Sequence, residues 1–243
     1  ATRTPLCDGR PSAIAVGDMI ICHDRRLIFL KGRKVGGTAL EIALSTVCGP
    51  RDVITPLTPE DEALRRDVGG QGPCHHDRVR WPGTIWPRRV AFRNHSTAAQ
   101  VRAQVPEAIW TGYRKIAITR DPFDVAISRY HWRRSRGALP DDMDFGGFVA
   151  ARRHWLDANS RIAPHRGPDK VDLHLRYSCL LQDLRDNDLS DIAEIVARIR
   201  PKGGLRPREA RVAEVYRAHP EALDIVAEAC ASEIAAFGYP RPA

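Results

Sequence analysis

LIFLKGRKVGGTALEIAL, residues 27–44, and IAITRDPFDVAISRYHW, residues 116–132, decide how this chain folds. Each opens with a short, unbroken apolar run, long enough for a buried strand and too short for a helix. Each then breaks into a polar loop and resumes with apolar residues at helical spacing. In the first, Leu40, Ile42, Ala43, Leu44 and Val47 suit a helix packed on a sheet, ended by Gly49-Pro50. In the second, residues 113–119 read as the strand and 122–134 as the helix. Asp121 stands at the N-cap, Pro122 at the first helical position, and Asp124 in the first turn, where a carboxylate suits the helix dipole. Two such units, each with anion-binding chemistry at its turn, suggest a ligand carrying two separate phosphates.

The first loop, KGRKVGGT (31–38), spaces Gly32 and Gly37 as a nucleotide-triphosphate loop does, but the lysine expected after the last glycine sits inside the loop as Lys34. A lysine there suits a 5′-phosphate and its departing bridge oxygen better than a γ-phosphate. Gly36 and Gly37 let the backbone approach an anion, and the amides near Thr38 point at it from the helix start. An ordinary strand-to-helix turn with solvated lysines is the plainer alternative. In the second loop Arg120 ends the strand and can fork onto a phosphate. Ser128, four residues beyond Asp124, can add a second donor. The plainer alternative is an ion pair of Arg120 with Asp121 or Asp124.

Outward from these segments, residues 18–30 read as a hairpin around the polar His23-Asp24-Arg25-Arg26 turn. Residues 56–92, with four glycines and five prolines, read as a long irregular, mobile segment on the acceptor side. Ser96 is the expected N-cap of a helix running to about residue 105. Further helices are expected at 147–158 and 183–199, with two more over 209–237 split near Pro220; VDLHLRY (171–177) alternates as a strand. Strands alternating with helices predict a single α/β domain over 1–243, a three-layer sandwich with a mostly parallel central sheet.

Bulk properties narrow the function classes. No run approaches the roughly 18 apolar residues of a membrane span, and the first residues lack a secretory layout, so a soluble cytoplasmic protein is expected. The six cysteines lie far apart without zinc-like spacing and read as buried free thiols. The net charge is +8, and only five of the 38 basic residues are lysine. The densest basic tracts, WPRR (86–89) and HWRRSR (131–136), are too short to argue for nucleic acid. Coding bias and solvated surface account for much of the surplus; an anionic ligand or acceptor is the other reading.

With both loops in view, the chain resembles the 3′-phosphoadenosine 5′-phosphosulfate (PAPS)-dependent sulfotransferases, closest to the carbohydrate O-sulfotransferase branch and its bacterial relatives. The resemblance implies that RKVGGT forms a P-loop-like 5′-phosphosulfate site from Lys34, Gly36, Gly37 and Thr38, with Arg33 as a helper. It implies that Arg120 and Ser128 of RDPFDVAIS hold the 3′-phosphate. Weaker echoes are LHLRYSCLLQDL (173–184), where Ser178 replaces a frequent glutamate, and the closing FGYPRP (237–242). RNHSTAAQVR (93–102) is similar to the family segment whose histidine is the general base, which implies that role for His95; His75, His76 and His131 are its rivals.

The expected reaction is in-line transfer of the sulfuryl group of PAPS to a hydroxyl, releasing 3′-phosphoadenosine 5′-phosphate (PAP), with no metal required. Lys34 would stabilise the departing oxygen. The acceptor is a saccharide or a secondary metabolite; Trp81, Trp86, Trp110, Trp132 and Trp155 read as core packing or as sugar-stacking faces. Two alternatives are an ATP-Mg²⁺-dependent small-molecule kinase and a non-catalytic binder of anionic glycans on the same fold. Oligomeric state is not legible.

Overall fold

A computed structural model of the chain describes residues 19–92, 95–199, 207 and 210–243. The expected hairpin is present as β1 (Met19–Cys22) and β2 (Leu27–Leu30), pairing Met19 with Leu30 and Cys22 with Leu27. The chain continues through α1 (Gly37–Ser45), β3 (Val53–Ile54), α2 (Pro59–Asp67), β4 (Arg78–Val79), β5 (Arg88–Arg89), α3 (Ala98–Arg102) and α4 (Glu107–Gly112). Next come β6 (Arg114–Thr119), α5 (Pro122–Arg134), α6 (Phe145–Ala151), α7 (Ala158–Ile162), β7 (Leu173–Arg176), α8 (Leu180–Arg185) and α9 (Ser190–Arg198). The last helices are α10 (Val212–Ala218), α11 (Pro220–Ala229) and α12 (Ala231–Phe237).

Five strands form the central sheet in the order β3-β1-β2-β6-β7. The β2–β6 and β6–β7 pairs are parallel, and β1 is antiparallel to both its neighbours. Four of the five strands therefore share one direction: the sheet is mixed and mostly parallel. Strand residues alternate between two cores, as a period of two requires. Ile20, Cys22, Phe29, Ile116 and Ile118 meet residues of α1 and α9. Met19, Ile21, Ile28, Leu30 and Ala117 meet α3, α4, Trp81 and Phe92 on the opposite face. Helices thus cover both faces, the layering of a three-layer sandwich. A third core joins α5 and α6 to α10 and α11 through Phe123, Phe145, Phe148 and Tyr216.

Several expected boundaries need correction. Segment 56–92 is not irregular throughout: α2 is capped by Thr58, whose hydroxyl accepts from the Asp61 amide, and begins at Pro59. The short β4–β5 hairpin follows. Thr97, not Ser96, caps α3, in a reciprocal capping box with Gln100; Ser96 is buried one residue earlier. The helix expected at 147–158 is α6 followed by a 3-10 turn at Arg153–Trp155. The helix at 183–199 breaks between α8 and α9, where Asp188 takes φ 62. Three helices, not two, occupy the last stretch. Five cysteines among the described residues are free thiols, and no described helix is long and apolar enough to cross a membrane.

Candidate functional site

The loop between β2 and α1 lies at the carboxyl end of a central strand, where open α/β sheets bind ligands. Its first lysine is structural. Lys31 is buried and its Nζ lies 2.9 Å from Glu41 Oε2 on α1, a carboxylate that also receives Thr55 Oγ1 and faces Arg65. Gly37 rests directly on the Lys31 stem, since a Cβ there would come within 2.7 Å of Lys31 Cγ. Gly36 caps α1 in the left-handed region at φ 79, and a Cβ on it would meet the Tyr177 ring at 2.5 Å. Glycine is required at 36 on both counts. No side chain caps the first turn of α1, so the amides around Gly37 and Thr38 are available for an anion.

Lys34 is thereby singled out. Its backbone takes φ 59, and its ammonium lies 5.5 Å from the centre of the Trp132 ring. Burial, reinforced by the charges of Arg120, Arg136 and Arg129, pulls its pKa down to about 8. It forms no ion pair among the described residues. A lysine crowded by three arginines and lacking a carboxylate suits an anionic ligand.

Three other segments converge on this loop. Arg120, at the end of β6, donates through Nη1 to the Lys34 carbonyl at 2.7 Å. Its Nε and Nη2 bond Asp124 Oδ2 at 2.7 and 2.6 Å, so the ion pair weighed from sequence is present. Three of the five guanidinium N–H groups are engaged there, leaving two for a phosphate. The Tyr177 ring centre lies 4.3 Å from the Arg120 guanidinium carbon. Asp121 accepts from the Phe123 amide as the N-cap of α5, and burial raises its pKa. Ser128 is half-buried, one turn beyond Asp124.

His95 arrives from the segment before α3. Its Nδ1 lies 3.1 Å from the Lys31 carbonyl, across 64 residues of sequence, in a left-handed backbone at φ 56. Because a carbonyl only accepts, Nδ1 carries the proton and the basic lone pair of the neutral ring is on Nε2. The neighbouring Arg93 and Asn94 lie outside the described residues. Of the rival histidines, the His75 ring is tied to the carbonyls of Pro50 and Arg78, and His131 packs edge-on to Tyr130.

Sequence reading missed two residues that shape the loop. Asn159 on α7 is 7 % exposed; it accepts from the Arg33 amide at 2.7 Å and donates to the Arg33 carbonyl at 3.1 Å. No local signal marks it, because its partner lies 126 residues away. Tyr177 closes over Gly36 and Arg120, and the Tyr in LHLRYSCLL was its only sign. Behind the loop, Gly32, Thr119, Ser160, His174, Glu233 and Phe237 are among the residues lining a small cleft of mixed polar and apolar character. Burial pushes Glu233 up to about 7, and Ser160 Oγ donates to it at 3.0 Å.

The tryptophans divide. Trp81 and Trp110 are core residues, Trp86 is exposed, and Trp132 and Trp155 carry cations against their rings. Among the described residues, one group has metal-ligand spacing: Cys22, Cys48 and Asp52 place ligand atoms within 4.8 Å of one another. The two Asp52 oxygens already accept from the His23 and Gly49 amides and shape the turn before β3. That group lies away from the loop residues described above. In comparison with known proteins, no family model matches the chain, and no curated protein does.

Proposed function

We propose that the chain is a PAPS-dependent O-sulfotransferase whose P-loop-like turn, residues 31–38, holds the 5′-phosphosulfate. The observation that carries this reading is the convergence on one loop: His95 bonds its first residue, Arg120 its fourth, and Lys34 stands among cations without a carboxylate of its own. The donor set fits the group. Gly36, Gly37 and the amides near Thr38 suit an oxyanion, Arg33 and Lys34 add charge, and Arg120 with Ser128 suits a second phosphate.

PAPS, when bound, supplies an activated sulfuryl group on a phosphate that leaves readily. The chain's own residues do the rest. His95 takes the acceptor hydroxyl proton on Nε2 as that oxygen bonds to sulfur, a contribution of typically about 10²–10⁴-fold. The bond from sulfur to the bridging oxygen breaks, its electron pair stays on that oxygen, and Lys34 stabilises the charge as PAP forms. The acceptor leaves as a sulfate ester. No residue here needs a metal for this chemistry. Loop, Arg120 and Tyr177 mainly hold the reacting groups in line.

A PAP-release assay over a panel of saccharide and phenolic or alcoholic acceptors tests this reading. With the best acceptor, His95→Gln should lose at least 100-fold in kcat while its PAP affinity stays within twofold. Retention of most activity by that variant would remove His95 as the base.

A further inference from the structure

Beside the loop stands a group of arginines that a two-phosphate cofactor does not account for. Arg129 on α5 is 9 % exposed; its Nη1 donates to the Trp155 carbonyl at 2.5 Å, while its Nη2 is buried without a hydrogen-bond partner. The Nε of Arg152 is likewise buried and unpartnered. The guanidinium carbons of Arg133 and Arg152 lie 4.4 and 4.8 Å from the Trp155 ring centre. These cations feel one another: Arg33 acts on both Arg129 and Arg133, and Arg152 acts on Arg133. Among the described residues none of Arg33, Arg129, Arg133 or Arg152 forms an ion pair. The carboxylates whose charge reaches Arg129 are engaged elsewhere, Asp157 with Arg161 and Glu233 with Ser160.

A buried guanidinium N–H without an acceptor is costly, and neighbouring like charges add to that cost. A fold tolerates both where a ligand brings the missing acceptors. Guanidinium groups stacked on an indole are held flat and present their N–H edges as forks for carboxylate, sulfate or phosphate. Lys34 and Arg120 already serve the two phosphates of the cofactor. Arg129 and Arg133, one turn apart on α5, remain, with Arg152 at the end of α6 meeting Arg133 at Trp155.

Resting on the sulfotransferase reading above, we infer that the acceptor is itself anionic, and that Arg129, Arg133 and Arg152 around Trp155 bind an oxyanion group it carries in addition to its reacting hydroxyl. The subsite selects negatively charged acceptors over their neutral counterparts.

The test uses the full chain saturated with PAP, titrated with glucose 6-sulfate, with glucuronate and with glucose. The two charged sugars separate a sulfate-bearing from a carboxylate-bearing acceptor. At least one charged sugar should bind at least tenfold more tightly than glucose, and the double variant Arg133→Gln, Arg152→Gln should lose that preference with PAP affinity within twofold. Arg185→Gln with Arg198→Gln, an equal loss of charge at exposed positions on α8 and α9, should leave the preference intact. Equal binding of all three sugars would overturn the inference, as would loss of the preference in the α8–α9 control. A tenfold or greater loss of PAP affinity in the Arg133/Arg152 variant would assign those arginines to the cofactor instead. If the native chain failed to bind PAP, the sulfotransferase reading would fall, and inorganic sulfate on the chain alone would decide the subsite. Stabilisation by sulfate that the double variant abolishes would uphold an oxyanion site; no such difference would remove it.

Discussion

Raising the pH from 7 to 9 should weaken PAP binding through Lys34. In the free protein, burial and the charges of Arg120, Arg136 and Arg129 hold this ammonium at about 8. An anion over the loop reverses the local charge and returns it toward the ordinary lysine value near 10.4. Free Lys34 is then about nine-tenths protonated at pH 7 and about one-tenth protonated at pH 9, while bound Lys34 is protonated at both. Linkage gives the sign: the bound state holds more protons, so affinity is flat below pH 8 and falls as pH rises past it. The expected loss is about tenfold between pH 7 and 9, with uptake of about 0.9 proton at pH 9. Isothermal titration of PAP in buffers of different ionisation enthalpy reads both numbers. Lys34→Met should bind more weakly at pH 7, with no fall and no proton uptake at pH 9. A native chain with flat affinity and uptake below about 0.2 proton would refute the placement of the anion on Lys34.

Other expected outcomes follow from packing and capping. Gly36→Ala should lower the melting temperature and abolish measurable PAP affinity, because the added Cβ meets the Tyr177 ring and the backbone stands at φ 79; Gly36→Ala, Tyr177→Ala should recover part of the stability. Thr97→Ala removes the cap of α3 and should cost about 1 kcal/mol in denaturant unfolding. Glu233 keeps its proton to about pH 7 in the fold but releases it near 4.5 when unfolded, so its contribution to stability is present below 4.5 and is lost as pH rises to 7. Glu233→Gln should therefore stabilise the chain by about 3 kcal/mol at pH 8 and by little at pH 4.5, measured as melting temperature against pH.

How legible this was depends on how local each signal is. The bounds of β6 and α5 were readable almost to the residue, because Asp121, Pro122 and Asp124 set the helix start within three positions. The hairpin at 19–30 and the helix after Gly36-Gly37 were readable from apolar runs broken by polar turns. α2 was missed because PEDEALRRD holds only two apolar residues and its stability comes from Thr58, Pro59 and the charge order along its axis. The break between α8 and α9 was hidden because an unbroken apolar stripe runs on into Ile192 and Val196, while Asp188 alone carries the change of direction. At the site, Lys34, Arg120 and His95 carried recognisable local contexts. Asn159, Tyr177, Arg129 and Arg152 act through partners brought together by the fold, which no neighbouring residue announces.

Thermal unfolding of the native chain with PAP, compared against ATP plus Mg²⁺, tests the central claim most directly. At about 100 times its Kd a ligand adds about 2.7 kcal/mol, which for a chain of this size raises the melting temperature by about 5–10 °C. A rise with PAP that Lys34→Ala abolishes is the predicted result. A rise with ATP-Mg²⁺ alone would contradict the sulfotransferase reading.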